Sequence, residues 1–200
     1  YGDSWVDPKG TMRAFIGKVR NKDGVTYEES LFVADIPLDV DISTADAGAS
    51  DRYPRPPQGV SVRRLTHSWA GGIVRGAPDG LKIAYYGKAE DGNTQVFIIP
   101  ADGSDKADDP AKQPVQATHL PHGAESGLRW HPNGDTIFCI SNNGIAAVSV
   151  RSGPDFSKTV FLTDQGDSPA RYALAISQDG RHLAYNKAVP TKNAAGEPCV

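Results

Sequence analysis

The residues best suited to chemistry in this sequence belong to a short motif that occurs three times. Its copies are Leu65-Thr66-His67, Ala117-Thr118-His119 and Leu162-Thr163-Asp164, and their threonines are 52 and 45 residues apart. Two imidazoles and a carboxylate are ligand types that bind a divalent metal, and His122 could supply a further ligand. The motif therefore raises the hypothesis of a metal site.

A second interpretation of the motif is structural. Each copy follows a short β-rich run, so its polar third residue could simply end a strand. Equivalent positions in stacked sheets lie about 10 Å or more apart, which is too far for one ion. The loops after the motif hold further ionisable groups, and the ligand-binding candidates are His67, His119, His122, Asp164, Asp167 and Arg171. We assign no catalytic residue and leave the identity of any metal open.

Four turn signatures indicate the elements that must position these residues. They are Asp7-Pro8-Lys9-Gly10, Ala77-Pro78-Asp79-Gly80, His131-Pro132-Asn133-Gly134 and Ser177-Gln178-Asp179-Gly180. A turn proline presets φ, and the closing glycine takes a positive φ. A β-rich strand follows each turn, and the glycines are 70, 54 and 46 residues apart. A four-stranded propeller blade repeats every ~40–45 residues, so the last two intervals fit one blade each and the first contains an insertion.

These repeats predict an all-β chain, a partial β-propeller of about three and a half four-stranded blades. Blade one covers residues 1–66, blade two 70–118, blade three 125–163 and a truncated blade four 170–200. Propellers usually close with about four to eight blades, so we expect these residues to be part of a larger propeller. The alternative is a small closed barrel or sandwich.

Residues 39–58 do not fit the repeat. They contain four acidic residues and the proline-rich stretch Pro54-Arg55-Pro56-Pro57, which is typical of a flexible linker ending in polyproline II conformation. The segment lies between the third and fourth strands of blade one. We favour a tolerated surface loop over a partner-binding arm. Residues 102–113 form a second acid-rich loop at the equivalent junction of blade two.

Composition excludes two classes of partner. The net charge of −3 lacks the basic excess of a nucleic-acid-binding surface. No apolar run approaches the ~18–20 residues of a membrane span, so we predict none. Cys139 and Cys199 are expected to be separate thiols, and they do not distinguish a cytoplasmic from a periplasmic location.

The repeats also resemble a known family. The Pro-Asp-Gly turn followed by a strand such as Ile83-Ala84-Tyr85 resembles the WD40-like repeat of TolB and of prolyl-oligopeptidase-type propellers. A closer resemblance is to the YidR-like family of uncharacterised bacterial propeller proteins, over essentially the whole chain and corresponding to the C-terminal half of such a protein. The residues that carry it are Pro56-Pro57-Gln58-Gly59-Val60, Arg63-Arg64-Leu65-Thr66, Trp130-His131-Pro132-Asn133-Gly134, Asn143-Gly144-Ile145-Ala146 and Ser168-Pro169-Ala170. The resemblance implies a TolB-like fold, and it brings no established reaction and no catalytic residues.

Two functions remain. The sequence favours a non-catalytic propeller that presents loops to a protein, peptide or saccharide. The alternative is a metal-assisted saccharide-active enzyme, because the similar-looking oligogalacturonate lyases use a propeller-bound metal held by histidines. No Gly-X-Ser-X-Gly elbow of a serine hydrolase occurs, and Ser141-Asn142-Asn143-Gly144 is typical of a hairpin turn. No cofactor is predicted for the scaffold, and a stoichiometric divalent metal would favour the enzyme.

Overall fold

The computed structural model describes residues 2–41, 43, 45–166 and 169–199, and its regular structure is antiparallel β-sheet. Strands account for 43% of the residues and helix for 2%. A three-residue 3-10 helix, Pro110–Lys112, precedes the last strand of the second sheet. Within the described ranges, no helix is long and apolar enough to cross a membrane. The predicted all-β class is therefore confirmed.

Three four-stranded sheets follow one another along the chain, and each is a meander in which consecutive strands pair. The first sheet contains β1 (Ser4–Trp5), β2 (Met12–Arg20), β3 (Tyr27–Asp35) and β4 (Ser61–Arg64). The second contains β5 (Ala70–Gly76), β6 (Lys82–Lys88), β7 (Thr94–Pro100) and β8 (Val115–Gln116). The third contains β9 (Ser126–Trp130), β10 (Thr136–Ser141), β11 (Gly144–Ser149) and β12 (Thr159–Phe161).

Two hairpins complete the described strands. β13 (Arg171–Ile176) pairs with β14 (Leu183–Lys187), and β15 (Thr191–Lys192) pairs with β16 (Pro198–Cys199). Pro190 lies between β14 and β15 and has no N–H to donate to a neighbouring strand. The last described strand, β16, thus begins at Pro198, and its partner is β15.

The four turn signatures connect the first two strands of each sheet and of the β13–β14 hairpin. In each turn the glycine N–H donates to the carbonyl three residues earlier, at 2.9 to 3.2 Å. The φ angles of Gly10, Gly80, Gly134 and Gly180 lie between 72° and 75°. This is the left-handed region that glycine enters without penalty. The expected role of the turn glycines is therefore confirmed.

The chain divides into two compact units, residues 1–84 with 99–114 and residues 85–98 with 115–200. In the first unit the largest fully buried side chains include Leu31, Leu65 and Ile83. In the second unit the β13–β14 hairpin contributes Leu174 to a buried cluster with residues of the third sheet, namely Phe138, Ile140 and Ile145. Each unit thus has apolar residues removed from water, which is the main stabilising contribution.

The two acid-rich connections differ in how they are held. Residues 36–60 join β3 to β4 and contain local contacts such as the Asp46–Arg52 ion pair, while Tyr53 is 92% exposed. Residues 101–114 join β7 to β8 and are closed by the Asp102–Lys112 ion pair and by a bond from Ser104 N–H to the Lys112 carbonyl. The second connection is also bonded to the residue after β4, because Asp105 N–H donates to the Leu65 carbonyl at 2.9 Å.

Candidate functional site

The threonines of the threefold motif fasten the end of the fourth strand to the third strand in each sheet. The hydroxyl accepts a hydrogen bond from a backbone N–H of the third strand, at 2.8 to 3.0 Å: Leu31 to Thr66, Val96 to Thr118 and Ile145 to Thr163. The residue before each threonine returns its own N–H to the carbonyl of that same third-strand residue, at 2.8 Å in all three sheets. The threonine is thus a structural anchor repeated in all three sheets.

The residue after each anchor is exposed. His67, His119 and Asp164 all project from a backbone that the buried or half-buried threonine holds in place. The motif combines two roles, because the threonine side chain bonds to the third strand and the next side chain is exposed to solvent. The repeat therefore presents one polar side chain from each sheet in the same local setting.

His67 is fixed by Asp105, a residue of the 101–114 connection. The carboxylate accepts the His67 backbone N–H at 2.5 Å and lies 2.8 Å from Nδ1, while Asp105 N–H donates to the Leu65 carbonyl at 2.9 Å. Because a carboxylate can only accept, Nδ1 carries the proton in this contact, and Nε2 of the neutral ring is left as an acceptor. The side chain of Asp105 is 13% exposed and that of His67 is 37% exposed.

His119 has the opposite tautomer. Gln116 Nε2 donates to the Thr118 carbonyl at 2.7 Å, which fixes the orientation of its amide, and the same nitrogen lies 3.0 Å from His119 Nδ1. The imidazole Nδ1 must therefore accept, so the proton is on Nε2. The two motif histidines thus offer different groups to a ligand, an acceptor in His67 and a donor in His119.

The backbone around His119 is held by a buried glutamine. Gln95 Oε1 accepts the Thr118 hydroxyl at 2.7 Å and the Leu120 N–H at 3.1 Å, and its Nε2 donates to the Leu120 carbonyl at 2.8 Å. Both neighbours of His119 are therefore clamped to one side chain of β7. Sequence reasoning missed Gln95 because a single glutamine within an apolar strand carries no periodic signal.

A groove opens beside His119 within the second unit. It has a volume of about 450 Å³ and is lined by Lys88, Ala89, Glu90, Asp91, Phe97, Gln116 and His119. Hydrogen bonds from the Asn93 backbone N–H and side-chain amide, with a smaller contribution from His119, lower the pKa of Asp91 below its ordinary value. Asp91 therefore stays ionised at neutral and mildly acidic pH.

Asp164 and Arg171 meet at the turn between β10 and β11. Arg171 Nη1 donates to the Asn143 carbonyl at 2.6 Å and to the Asp164 carbonyl at 3.0 Å, and Arg171 N–H donates to Asn143 Oδ1 at 2.7 Å. The guanidinium also lies 5.9 Å from the centroid of the Tyr185 ring. On the other side of the turn, Glu125 accepts the Asn142 N–H at 2.8 Å.

The last two candidate residues are His122 and Asp167. His122 is exposed in the loop between β8 and β9. Asp167 lies outside the described residues. Among the residues that the structure describes, no three His, Cys, Asp or Glu side chains converge in a metal-binding arrangement. The role of the six candidates as a ligand site stays a prediction. The structure adds four residues that position candidate side chains or their backbone: Asp105, Gln95, Gln116 and Asn143.

Comparison with known proteins identifies a relative and two structures of similar fold. Searched against protein-family models, the chain matches none. It is 30% identical, over 92% of its length, to the uncharacterised protein YidR of Escherichia coli strain K12, of which it covers 45%. The chain thus resembles the YidR-like family of TolB-like propeller proteins. It spans about half the length of this curated relative.

Solved structures support the fold. The crystal structure of TolB from Acinetobacter baumannii is similar over 99% of this chain and 39% of its own, with a TM-score of 0.59 and 12% identity. A protein assigned as TolB from Agrobacterium tumefaciens is similar over 90% of this chain and 51% of its own, with a TM-score of 0.56 and 17% identity. At these identities the likeness concerns the fold alone, which is a partial TolB-like β-propeller.

Proposed function

We propose that this YidR-like chain is part of a non-catalytic β-propeller that binds a protein, peptide or saccharide through the loops after its anchored threonines. One observation carries the proposal: Thr66, Thr118 and Thr163 hold the backbone, and the next side chain is exposed each time. Polar groups that are already held rigidly lose less conformational entropy when a ligand binds.

The contacts of the candidate residues support presentation rather than proton transfer. His67 is paired with Asp105, His119 with Gln116, and the Arg171 guanidinium with two backbone carbonyls. A catalytic site needs a nucleophile or an acid and a base directed at one reacting atom. The described contacts of these residues instead fix each side chain in its own loop.

The first experiment compares wild type with a triple variant, His67→Ala/His119→Ala/Asp164→Ala, on glycan and peptide arrays. The matched control is Lys9→Ala/Arg181→Ala, because both residues are exposed on turns at the start of a sheet or hairpin. We expect wild type and control to bind the same ligand class and the triple variant to lose that binding. Equal binding by all three proteins would contradict a role for these loops.

The second experiment tests the absence of catalysis. Any ligand found on the arrays is incubated with the purified protein and analysed for new chain ends, with and without a metal chelator. The proposal predicts an intact ligand and binding that the chelator does not change. Cleavage that stops when the chelator is added would instead support the metal-assisted saccharide-active enzyme.

A further inference from the structure

We propose that the groove lined by Lys88, Asp91, Phe97, Gln116 and His119 is a binding site for a neutral saccharide. This inference rests on the proposed binding function and adds a ligand class and a location to it. The groove measures about 450 Å³, within the range of about 300–1,000 Å³ that is usual for small-ligand sites.

An aromatic ring forms the apolar part of the groove. Phe97 stacks on Tyr85, with ring centroids 5.9 Å apart and planes 29° apart. Gly87 has no side chain, and a Cβ there would come within 2.8 Å of the Phe97 ring. The ring therefore packs closely against β6 in a fixed orientation. Such a ring offers a flat surface for the C–H faces of a pyranose.

The polar groups are already held in place. Gln116 is oriented by the Thr118 carbonyl, His119 by Gln116, and Asp91 by two bonds from Asn93. Lys88 Nζ donates to the Thr94 hydroxyl at 3.0 Å. Groups positioned before binding lose less conformational entropy when a ligand arrives. These four polar side chains are therefore positioned before a ligand arrives.

The chemistry of these groups favours a polyhydroxylated ligand. His119 Nε2–H and the Lys88 ammonium are donors, whereas Gln116 Oε1 and the Asp91 carboxylate are acceptors. A hydroxyl both donates and accepts, so adjacent sugar hydroxyls can satisfy this mixture. Peptide binding by strand addition would need a long free edge, and the last strand of this sheet, Val115–Gln116, has only two residues.

The other two sheets use the equivalent position differently. In the first sheet Arg64 stands two residues before the anchor threonine and forms bonds with Glu28, at 2.6 Å, and with Ser30, at 2.8 Å. In the third sheet the position is Phe161, which packs over Gly144. Only in the second sheet is it a glutamine that keeps an amide oxygen beside the groove. The site is therefore a feature of this sheet and not of the repeat.

The test is calorimetric titration of the purified protein with neutral tetrasaccharides of glucose, mannose, xylose and N-acetylglucosamine. We expect at least one of them to bind, and Gln116→Ala and His119→Ala each to weaken that binding about tenfold, which corresponds to about 1.4 kcal/mol. His182→Ala is the matched control, because this exposed histidine lies in the connection between β13 and β14 and does not line the groove. Thermal unfolding of each variant checks that the fold is retained.

Three outcomes would overturn the inference: no tetrasaccharide binding at millimolar concentration, equal effects of His119→Ala and His182→Ala, or binding of short peptides in place of saccharides. The first two leave the proposed scaffold function standing, because its loops also include His67 and Asp164. Saccharide binding followed by cleavage would support the groove as a saccharide site and would contradict the proposed non-catalytic function.

Discussion

Thr118 is fully buried, and its hydroxyl forms two hydrogen bonds, both with residues of β7. It accepts the Val96 N–H at 2.8 Å and donates to Gln95 Oε1 at 2.7 Å. Gln95 in turn holds the backbone of Leu120. One hydroxyl therefore links the β7 strand to the loop that presents His119.

Removing the Thr118 hydroxyl should lower the stability of the protein. Thr118→Val keeps the shape but leaves the Val96 N–H and part of the Gln95 amide without partners in a buried setting. We expect the free energy of unfolding to fall by about 1–3 kcal/mol, measured by urea denaturation. Thr118→Ser retains the hydroxyl and should lose less. If valine proves as stable as serine at this position, the hydroxyl is not an anchor.

Cys139 should be an inert thiol. Burial, with a smaller contribution from the Glu125 carboxylate, raises its pKa to about 12, so the reactive thiolate is scarce at neutral pH. In a Cys199→Ser protein at pH 8, we expect no labelling by a thiol reagent under native conditions and full labelling in denaturant. Rapid native labelling would show that the β10 strand opens to solvent.

At the scale of elements, the turns between paired strands depend on local backbone geometry. Gly134 has a φ of 75°, and a Cβ built there meets no atom within 4 Å. Space is therefore available, and the backbone conformation is the sole restriction on this position. Side chains differ in how well they tolerate this left-handed region, and β-branched residues tolerate it least.

This difference makes a direct test possible. Gly134→Val should lower the free energy of unfolding by on the order of 1–3 kcal/mol. Gly134→Asn should cost less, because asparagine enters the left-handed region more readily. Chemical denaturation of both variants measures the difference. A valine variant as stable as the asparagine variant would show that the turn changes its conformation without cost.

The first turn depends on an ionised carboxylate. Burial acts to raise the pKa of Asp7, but bonds from the Thr11 hydroxyl and from the N–H groups of Met12 and Thr11 outweigh it, so the pKa lies below its ordinary value. A lowered folded-state pKa contributes stability above the unfolded value of about 3.9, and this contribution is lost as the pH falls through the folded-state value.

We therefore expect Asp7→Asn to lower stability at pH 7 by about 1–3 kcal/mol. The variant should also lose less further stability than wild type as the pH falls below about 4. Thermal unfolding across this pH range provides the measurement. Asp108→Asn, at an exposed position of the 101–114 connection, is the control. Parallel pH profiles for wild type and Asp7→Asn would contradict this role for Asp7.

At the scale of the whole molecule, the two long connections contribute unequally to stability. Asp35 and Ser61 are paired across β3 and β4, so the strand ends around residues 36–60 are already adjacent. The 101–114 connection instead bonds to Leu65 and His67 through Asp105. One connection can be shortened without moving its ends, whereas the other fastens a candidate binding residue.

Replacing residues 40–57 with Asn-Gly should change the free energy of unfolding by no more than about 1 kcal/mol, because loop closure depends weakly on loop length. Replacing residues 104–112 with the same dipeptide should destabilise the protein clearly more, since the bonds of Asp105 are lost. Denaturation of both deletion variants provides the comparison. Equal losses would show that residues 39–58 are more than a tolerated insertion.

The periodic features of the fold could be predicted from the sequence. Gly10, Gly80, Gly134 and Gly180 mark turns because few residues accept a positive φ. The threefold Leu-Thr motif marks strand ends, although its hydrogen-bonding reason appears only in the structure. The YidR-like resemblance and the all-β class agree with the comparisons and with the sheets.

The contacts that position the candidate residues could not be predicted, because they join loops that have no repeat. Asp105 meets His67 across 38 residues, and Arg171 meets Asn143 across 28. Residue types and their spacing indicate which backbone conformations are allowed near each residue, and they do not indicate contacts between distant loops. Which side chain reaches which loop depends on the folded path of the chain. By itself the sequence determined the turns, the strands and the resemblance to the YidR-like family. Only the tertiary structure decided the tautomers of the histidines and the groove beside His119.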